Sequence, residues 1–146
     1  MSKYFQGKYV PKNPKKYAGN VSEIFARSSW ERRMMVYFDT NPNVLKWSSE
    51  EVVLKYVSPL DNRIHRYYVD FAAMIQNKHG EVKKYLIEVK PLKETMPPQK
   101  KARNTQRYLT EVSTYLVNQK KWEAAREFCA KNGWEFEIIT ERHLGI

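Results

Sequence analysis

The chain has 146 residues, within the roughly 100–200 expected of one domain, and 26 Lys and Arg against 16 Asp and Glu leave a formal net charge of +10. A hydrophobic fraction of 42% excludes intrinsic disorder, 5 Gly and 7 Pro exclude collagen-like and low-complexity classes, and the single cysteine, Cys129, excludes an internal disulfide. No apolar run approaches the ~18 residues of a membrane span, and Met1 to Lys8 lacks a signal-peptide apolar core, so the expectation is a soluble, basic, intracellular domain with no membrane partner.

Residues 1–19 form a basic N-terminal arm, with Lys3, Lys8, Lys12, Lys15 and Lys16, no acid, and Pro11 and Pro14 interrupting any helix. Tyr4, Phe5, Tyr9 and Tyr17 are interleaved with the lysines. Such an arm either wraps the domain with its aromatics tucked in or lies along a phosphate backbone. Ser28 to about Asp39 is predicted as helix: Ser28 and Glu31 form an S-x-x-E capping box, and Trp30, Met34, Tyr37 and Phe38 recur at helical spacing. Asn41-Pro42-Asn43 ends it.

Val52 to Val57 is β-rich, and 58–62 is a turn. Arg66 to Ile75 is a second strand, which Asn77-Lys78-His79-Gly80 turns into a third, Val82 to Lys90. Tyr85-Leu86-Ile87 is apolar without alternation, as in a central strand covered on both faces. Pro91 opens a basic connection, 91–104, and connections of that length are commonly functional. Tyr108, Leu109, Val112, Tyr115 and Leu116 then have helical spacing, which Trp122, Ala125, Phe128 and Cys129 resume after a break near Asn118. Gly133 is a C-terminal stop before a last strand, Trp134 to Ile139. The order predicts a single α/β domain over 1–146.

The chemistry-bearing residues are Asp70 on the second strand and Glu88-Val89-Lys90 at the end of the third. Period-two alternation puts Glu88 and Lys90 on one face and Val89 on the other, and Asp70 on the partner strand comes within reach of that face. Two neighbouring carboxylates at the end of a buried strand resist joint ionisation, a cost that a divalent cation removes. Mg²⁺ takes one or two carboxylates together with waters and a substrate phosphate, and an adjoining ammonium stabilises charge on that phosphate. In isolation an E-x-K run is more often a same-face ion pair, with Asp70 an edge charge; here the acid, the hairpin and the basic surroundings agree.

Asp70, the hairpin and Glu88-Val89-Lys90 resemble the signature of the PD-(D/E)XK nuclease superfamily. The order of elements agrees from Ser28 to Thr140, which implies a restriction-endonuclease-like core, a mixed β-sheet flanked by helices. Arg27-Ser28-Ser29-Trp30-Glu31, Val44 to Glu50, His65 to Asp70, Ile87 to Pro91 and the arm Lys8 to Pro14 further resemble the head completion nucleases of T-even-type bacteriophages. Transposon end-cleaving subunits share the general pattern. The resemblance implies a metal-dependent DNA endonuclease or end-trimming nuclease with Mg²⁺, replaceable by Mn²⁺, held by Asp70, Glu88 and the Val89 carbonyl, and with Lys90 as the catalytic lysine. It also implies action in phage head completion after packaging, in the cytoplasm of an infected bacterium or on the virion, with DNA and portal, neck or capsid proteins as partners. Val69 stands where the motif has proline. Glu31 matches an acid that many members carry on the first core helix, although the capping box alone accounts for it.

The alternatives are a non-catalytic DNA-end-binding or neck protein on the same fold and a transposase-type cleavage subunit. Lys93, Lys100, Lys101, Arg103 and Arg107 are read as a phosphate clamp beside the metal. Glu50 is read as a solvated strand-edge acid and Cys129 as core; His65, His79 and His143 lack zinc-type spacing.

Overall fold

A computed structural model describes residues 6–100 and 102–145; Lys3, Tyr4 and Phe5 of the arm, and Lys101, lie outside the described residues. The first helix, α1 (Ser29–Thr40), starts where Ser28 Oγ accepts the Glu31 N–H at 3.2 Å. Only this half of the predicted capping box forms. The Glu31 carboxylate accepts from the Arg27 N–H at 3.3 Å, one residue before the cap.

The arm begins with β1 (Gly7–Lys8), paired antiparallel with β2 (Phe25–Ala26). The two aromatics among its described residues are tucked in: Tyr9 and Tyr17 are buried against Trp47, with ring centroids 6.1 and 4.8 Å away. Asp39, fully buried at the end of α1, accepts from Tyr9 Oη (2.6 Å) and from the N–H groups of Lys12 (2.7 Å) and Asn13 (2.9 Å). Lys8, Lys12 and Lys15 remain exposed on the outside of this wrap.

The main sheet has the order β3-β6-β7-β8: β3 (Val44–Ser49), β6 (Phe71–Gln76), β7 (Val82–Val89) and β8 (Glu135–Ile139). β7 is the central strand, antiparallel to β6 and parallel to β8, so the sheet is mixed. On one face Phe71, Ile87 and Val89 pack with Met34, Met35 and Phe38 of α1. On the other, Leu86 packs with Trp122, Ala125 and Cys129 of α2 (Gln106–Asn132), and Cys129 is core as expected.

β4 (Val53–Val57) and β5 (Ile64–Tyr68) form a separate two-stranded ribbon whose inner face, Leu54 and Tyr67, belongs to the second core. The predicted strand Arg66 to Ile75 is therefore two strands in two sheets, parted at Val69-Asp70. β3 is an element the sequence pattern did not predict. Its register shifts between Val44 and Lys46, so buried Val44 and Trp47 fall three apart and the alternation that marks a strand is lost. The predicted break near Asn118 is absent. Asn118 is buried within one continuous helix, since a single Asn costs such a helix only a fraction of a kcal/mol. Gly133 does end α2, at φ 70°.

Candidate active site

The β6–β7 register pairs Phe71 with Ile87, so the next residues outward, Asp70 and Glu88, face each other at the end of the sheet. Their carboxylates are locked reciprocally. The Val89 N–H donates to Asp70 Oδ2 at 2.9 Å, and the Asp70 N–H donates to Glu88 Oε1 at 3.3 Å. Glu88 is 4% exposed, and its second oxygen accepts from Trp122 Nε1 at 3.4 Å. Trp122 thus fills the core with its ring and steadies the acid with its one polar atom.

Burial raises the Asp70 pKa well above the usual carboxylate range; the charge of Glu88 raises it further and that of Glu31 adds to this, while the Val89 N–H and the Lys90 ammonium pull it down. Lys90, half-buried just beyond β7, donates its N–H to the Ile139 carbonyl at 2.9 Å. Tyr67 lies beneath the acids. Its hydroxyl is buried without a partner in hydrogen-bonding geometry, and burial and the Glu88 charge raise its pKa.

Glu31 is buried on the first turn of α1. Burial raises its pKa, the Arg27 N–H opposes this, and Glu50 and Glu88 raise it further. Glu31, Asp70 and Glu88 therefore share one electrostatic neighbourhood, although Glu31 makes no hydrogen bond to the other two.

Glu50 is not the solvated edge acid expected. Its carboxylate takes Arg27 bidentately, Nε at 2.6 Å and Nη2 at 3.0 Å, and its N–H donates to the Asp70 carbonyl at 3.1 Å. It adopts φ 56°, a left-handed conformation uncommon for a residue other than glycine. A partner 23 positions away in sequence leaves no local spacing signal.

No group of three or more His, Cys, Asp or Glu side chains able to hold a metal occurs among the described residues. Two carboxylates with a main-chain carbonyl suit Mg²⁺, which keeps several waters and shares substrate phosphate oxygens, and do not suit zinc. His65 pairs with Asp61 at 2.8 Å, and His143 Nδ1 accepts the Thr140 N–H.

Lys93, Lys100 and Arg103 are exposed on the 91–104 connection, and none of them pairs with the acid cluster. Arg107 is also exposed, but Glu111 pairs with it at 3.3 Å, so the run is not free of acids once the helix brings i and i+4 together. Lys93, Glu94 and Glu111 line a groove of about 630 Å³ between the connection and α2.

The model of the family described as "TnsA-like endonuclease N terminal" matches residues 41–141. The head completion nuclease of Enterobacteria phage T4 is 38% identical over 144 residues, covering 96% of this chain and 93% of that one. No solved structure matches.

Proposed function

The chain belongs to the TnsA-like endonuclease family, with its restriction-endonuclease-like fold, and from that premise we propose that it is a PD-(D/E)XK deoxyribonuclease that hydrolyses phosphodiester bonds with a bound divalent cation. Asp70, Glu88 and the Val89 carbonyl hold the cation, Mg²⁺ or Mn²⁺, and the whole chain acts as one nuclease domain. Its setting is the completion of filled phage heads, alongside portal, neck or capsid proteins; what supports this setting is the likeness to the head completion nuclease.

The observation that carries the catalytic reading is the reciprocal lock. Two carboxylates are held side by side by backbone N–H groups at 2.9 and 3.3 Å, with no Lys, Arg or His paired to either among the described residues. Such a pair resists joint ionisation and is suited to a cation. When bound, the cation supplies Lewis-acid polarisation of the phosphodiester and a water of lowered pKa. Lys90 holds positive charge at the reacting phosphate, where negative charge grows in the transition state. In this reading Glu31, whose pKa burial raises above the ordinary carboxylate value, accepts a proton from the water. Trp122 and the Val89 N–H keep both acids from rotating away.

The test is cleavage of plasmid and linear duplex with Mg²⁺ or Mn²⁺, beside calorimetric titration of each ion. Wild type cuts and binds; Glu88→Gln loses both while remaining folded. Lys90→Ala still binds the ion but turns over slowly, because its oxygen ligands are intact. A wild type that neither binds a divalent ion nor cuts DNA overturns the assignment.

A further inference from the structure

The ribbon of β4 and β5 presents an outward face that nothing among the described residues covers. Strict antiparallel register pairs Val53 with Tyr68, Lys55 with Arg66 and Val57 with Ile64, and all six side chains are exposed. The alternate residues, Leu54 and Tyr67, are buried on the inner side, so the ribbon is anchored against α2.

The middle pair is the informative one. Lys55 and Arg66 stand directly opposite each other, and no acid pairs with either among the described residues. Like charges directly across an antiparallel pair are destabilising, and nothing in this face relieves them. The face carries two cations and no carboxylate, which matches a polyanion and not an acidic-basic mosaic on a protein.

The ribbon also leads directly into the acids. Its ladder continues through the Val69 N–H to the Val52 carbonyl at 3.1 Å, and Tyr68 precedes Asp70 by two residues, about 7 Å of extended chain. Two strands about 4.8 Å apart, with side chains, fit the ~12 Å major groove of duplex DNA. Arg and Lys in such a ribbon reach phosphates or guanine edges, and Val and Ile side chains suit thymine methyls.

We propose that the outer face of the β4–β5 ribbon, centred on Lys55 and Arg66, docks against duplex DNA beside the scissile phosphate and sets where the strand meets Asp70 and Glu88. This rests on the reading that duplex DNA is the substrate, but not on the metal chemistry.

The experiment is fluorescence anisotropy of a short labelled blunt duplex in EDTA, titrated across salt, so that binding is read without cleavage. Lys55→Ala/Arg66→Ala removes two phosphate-neutralising charges and is expected to flatten log K against log salt by about 1.8, shrinking the loss of affinity between 50 and 200 mM salt by about twelvefold. Lys55→Arg/Arg66→Lys should restore the wild-type slope. Thermal unfolding of the Ala variant should be unchanged or raised, because a like-charge cross-strand pair is gone. A Lys100→Ala/Arg103→Ala variant serves as the comparison. An unchanged slope in the ribbon variant overturns the proposal and leaves the face for a protein partner or a second copy, and so does a wild type that binds no duplex. A wild type that binds with a steep slope and responds to the ribbon variant but does not cut with Mg²⁺ sinks the nuclease reading alone.

Discussion

Asp70→Asn separates the structural cost of the acid pair from its use. Asn keeps a side-chain oxygen to accept the Val89 N–H, now 2.9 Å from Asp70 Oδ2, and removes the charge beside Glu88. Residues facing each other across an antiparallel pair have Cβ atoms ~5 Å apart. Two unit charges at ~5 Å repel by about 3 kcal/mol at an effective dielectric near 20. Burial first and Glu88 second raise the folded pKa of Asp70 above its unfolded value, so above the ordinary Asp range the folded protein retains a proton that the unfolded chain has released. Asp70's contribution to stability is therefore largest at low pH and falls as pH rises from its unfolded pKa through the folded one. The variant lacks this contribution. In EDTA at neutral pH it should be more stable than wild type, by at most about 3 kcal/mol because the proton already relieves part of the repulsion. At roughly 2–4 °C per kcal/mol this is a Tm gain of up to about 10 °C, closing toward zero near pH 4. Mg²⁺ should reverse the order: a hundredfold excess over Kd stabilises wild type by about 2.7 kcal/mol and the variant far less. Melting curves from pH 4 to 8, with EDTA and with Mg²⁺, read both effects. A variant less stable than wild type in EDTA at neutral pH, or an equal Mg²⁺ shift in both proteins, refutes the reasoning.

Glu31→Gln retains an oxygen for the Arg27 N–H and relieves a buried charge, so the melting temperature should be unchanged or raised while cleavage falls about 10²-fold or more if this carboxylate accepts the proton. Full activity would leave Glu31 a structural role only. Trp122→Phe removes the N–H that reaches Glu88 Oε2 at 3.4 Å; it should cost about 1 kcal/mol and raise the Mg²⁺ concentration for half-maximal cleavage more than it lowers the maximal rate. Asp39→Ala strands three donors and should destabilise the protein by about 3 kcal/mol, since hydrogen bonds to a charged group contribute ~1.5–3 kcal/mol each and the arm partly resolvates. Burial alone would raise the Asp39 pKa, but the bonds from Tyr9, Lys12 and Asn13 hold it below the usual range. The stabilisation is present above the unfolded pKa and is lost as pH falls through the depressed folded one, so the gap between wild type and Asp39→Ala should narrow in acid.

The site was legible where local rules suffice. Alternation along β7 puts Glu88 and Lys90 on one face, and the turn at Asn77 to Gly80 fixes which residue of the preceding strand stands opposite them. The sequence leaves two readings of the arm open, and partners more than 20 positions away, Asp39 and Trp47, decide for the described part of it. Glu50 and β3 stayed hidden for a related reason. The Arg27 pair joins distant segments, and the register shift at Val44 erases the periodicity by which a strand is recognised. Asn118 read as a break because it interrupts an apolar stripe; the groove between α2 and the 91–104 connection lets a polar residue sit at that point of the helix.

The same kind of irregularity explains how the sheet tolerates its acids. β3 and β4 are nearly continuous, as are β5 and β6, but the pairing between them slips by one residue around Glu50, where φ is 56°. A one-residue slip exchanges the faces of a strand. Tyr67 and Val69 accordingly point into the core beneath α2, whereas Phe71 and Ala73 point into the core beneath α1. Asp70 is the residue at the exchange. There the Asp70 and Val89 N–H groups donate to the Glu88 and Asp70 carboxylates, which take the place a backbone carbonyl holds in an unbroken ladder. The donors that fix the acids are thus donors that the slip set free. Closing it would return them to the ladder and release both carboxylates, and it would turn the β4–β5 ribbon over, burying Lys55 and Arg66 against α2. Site and ribbon depend on one extra residue in the strand.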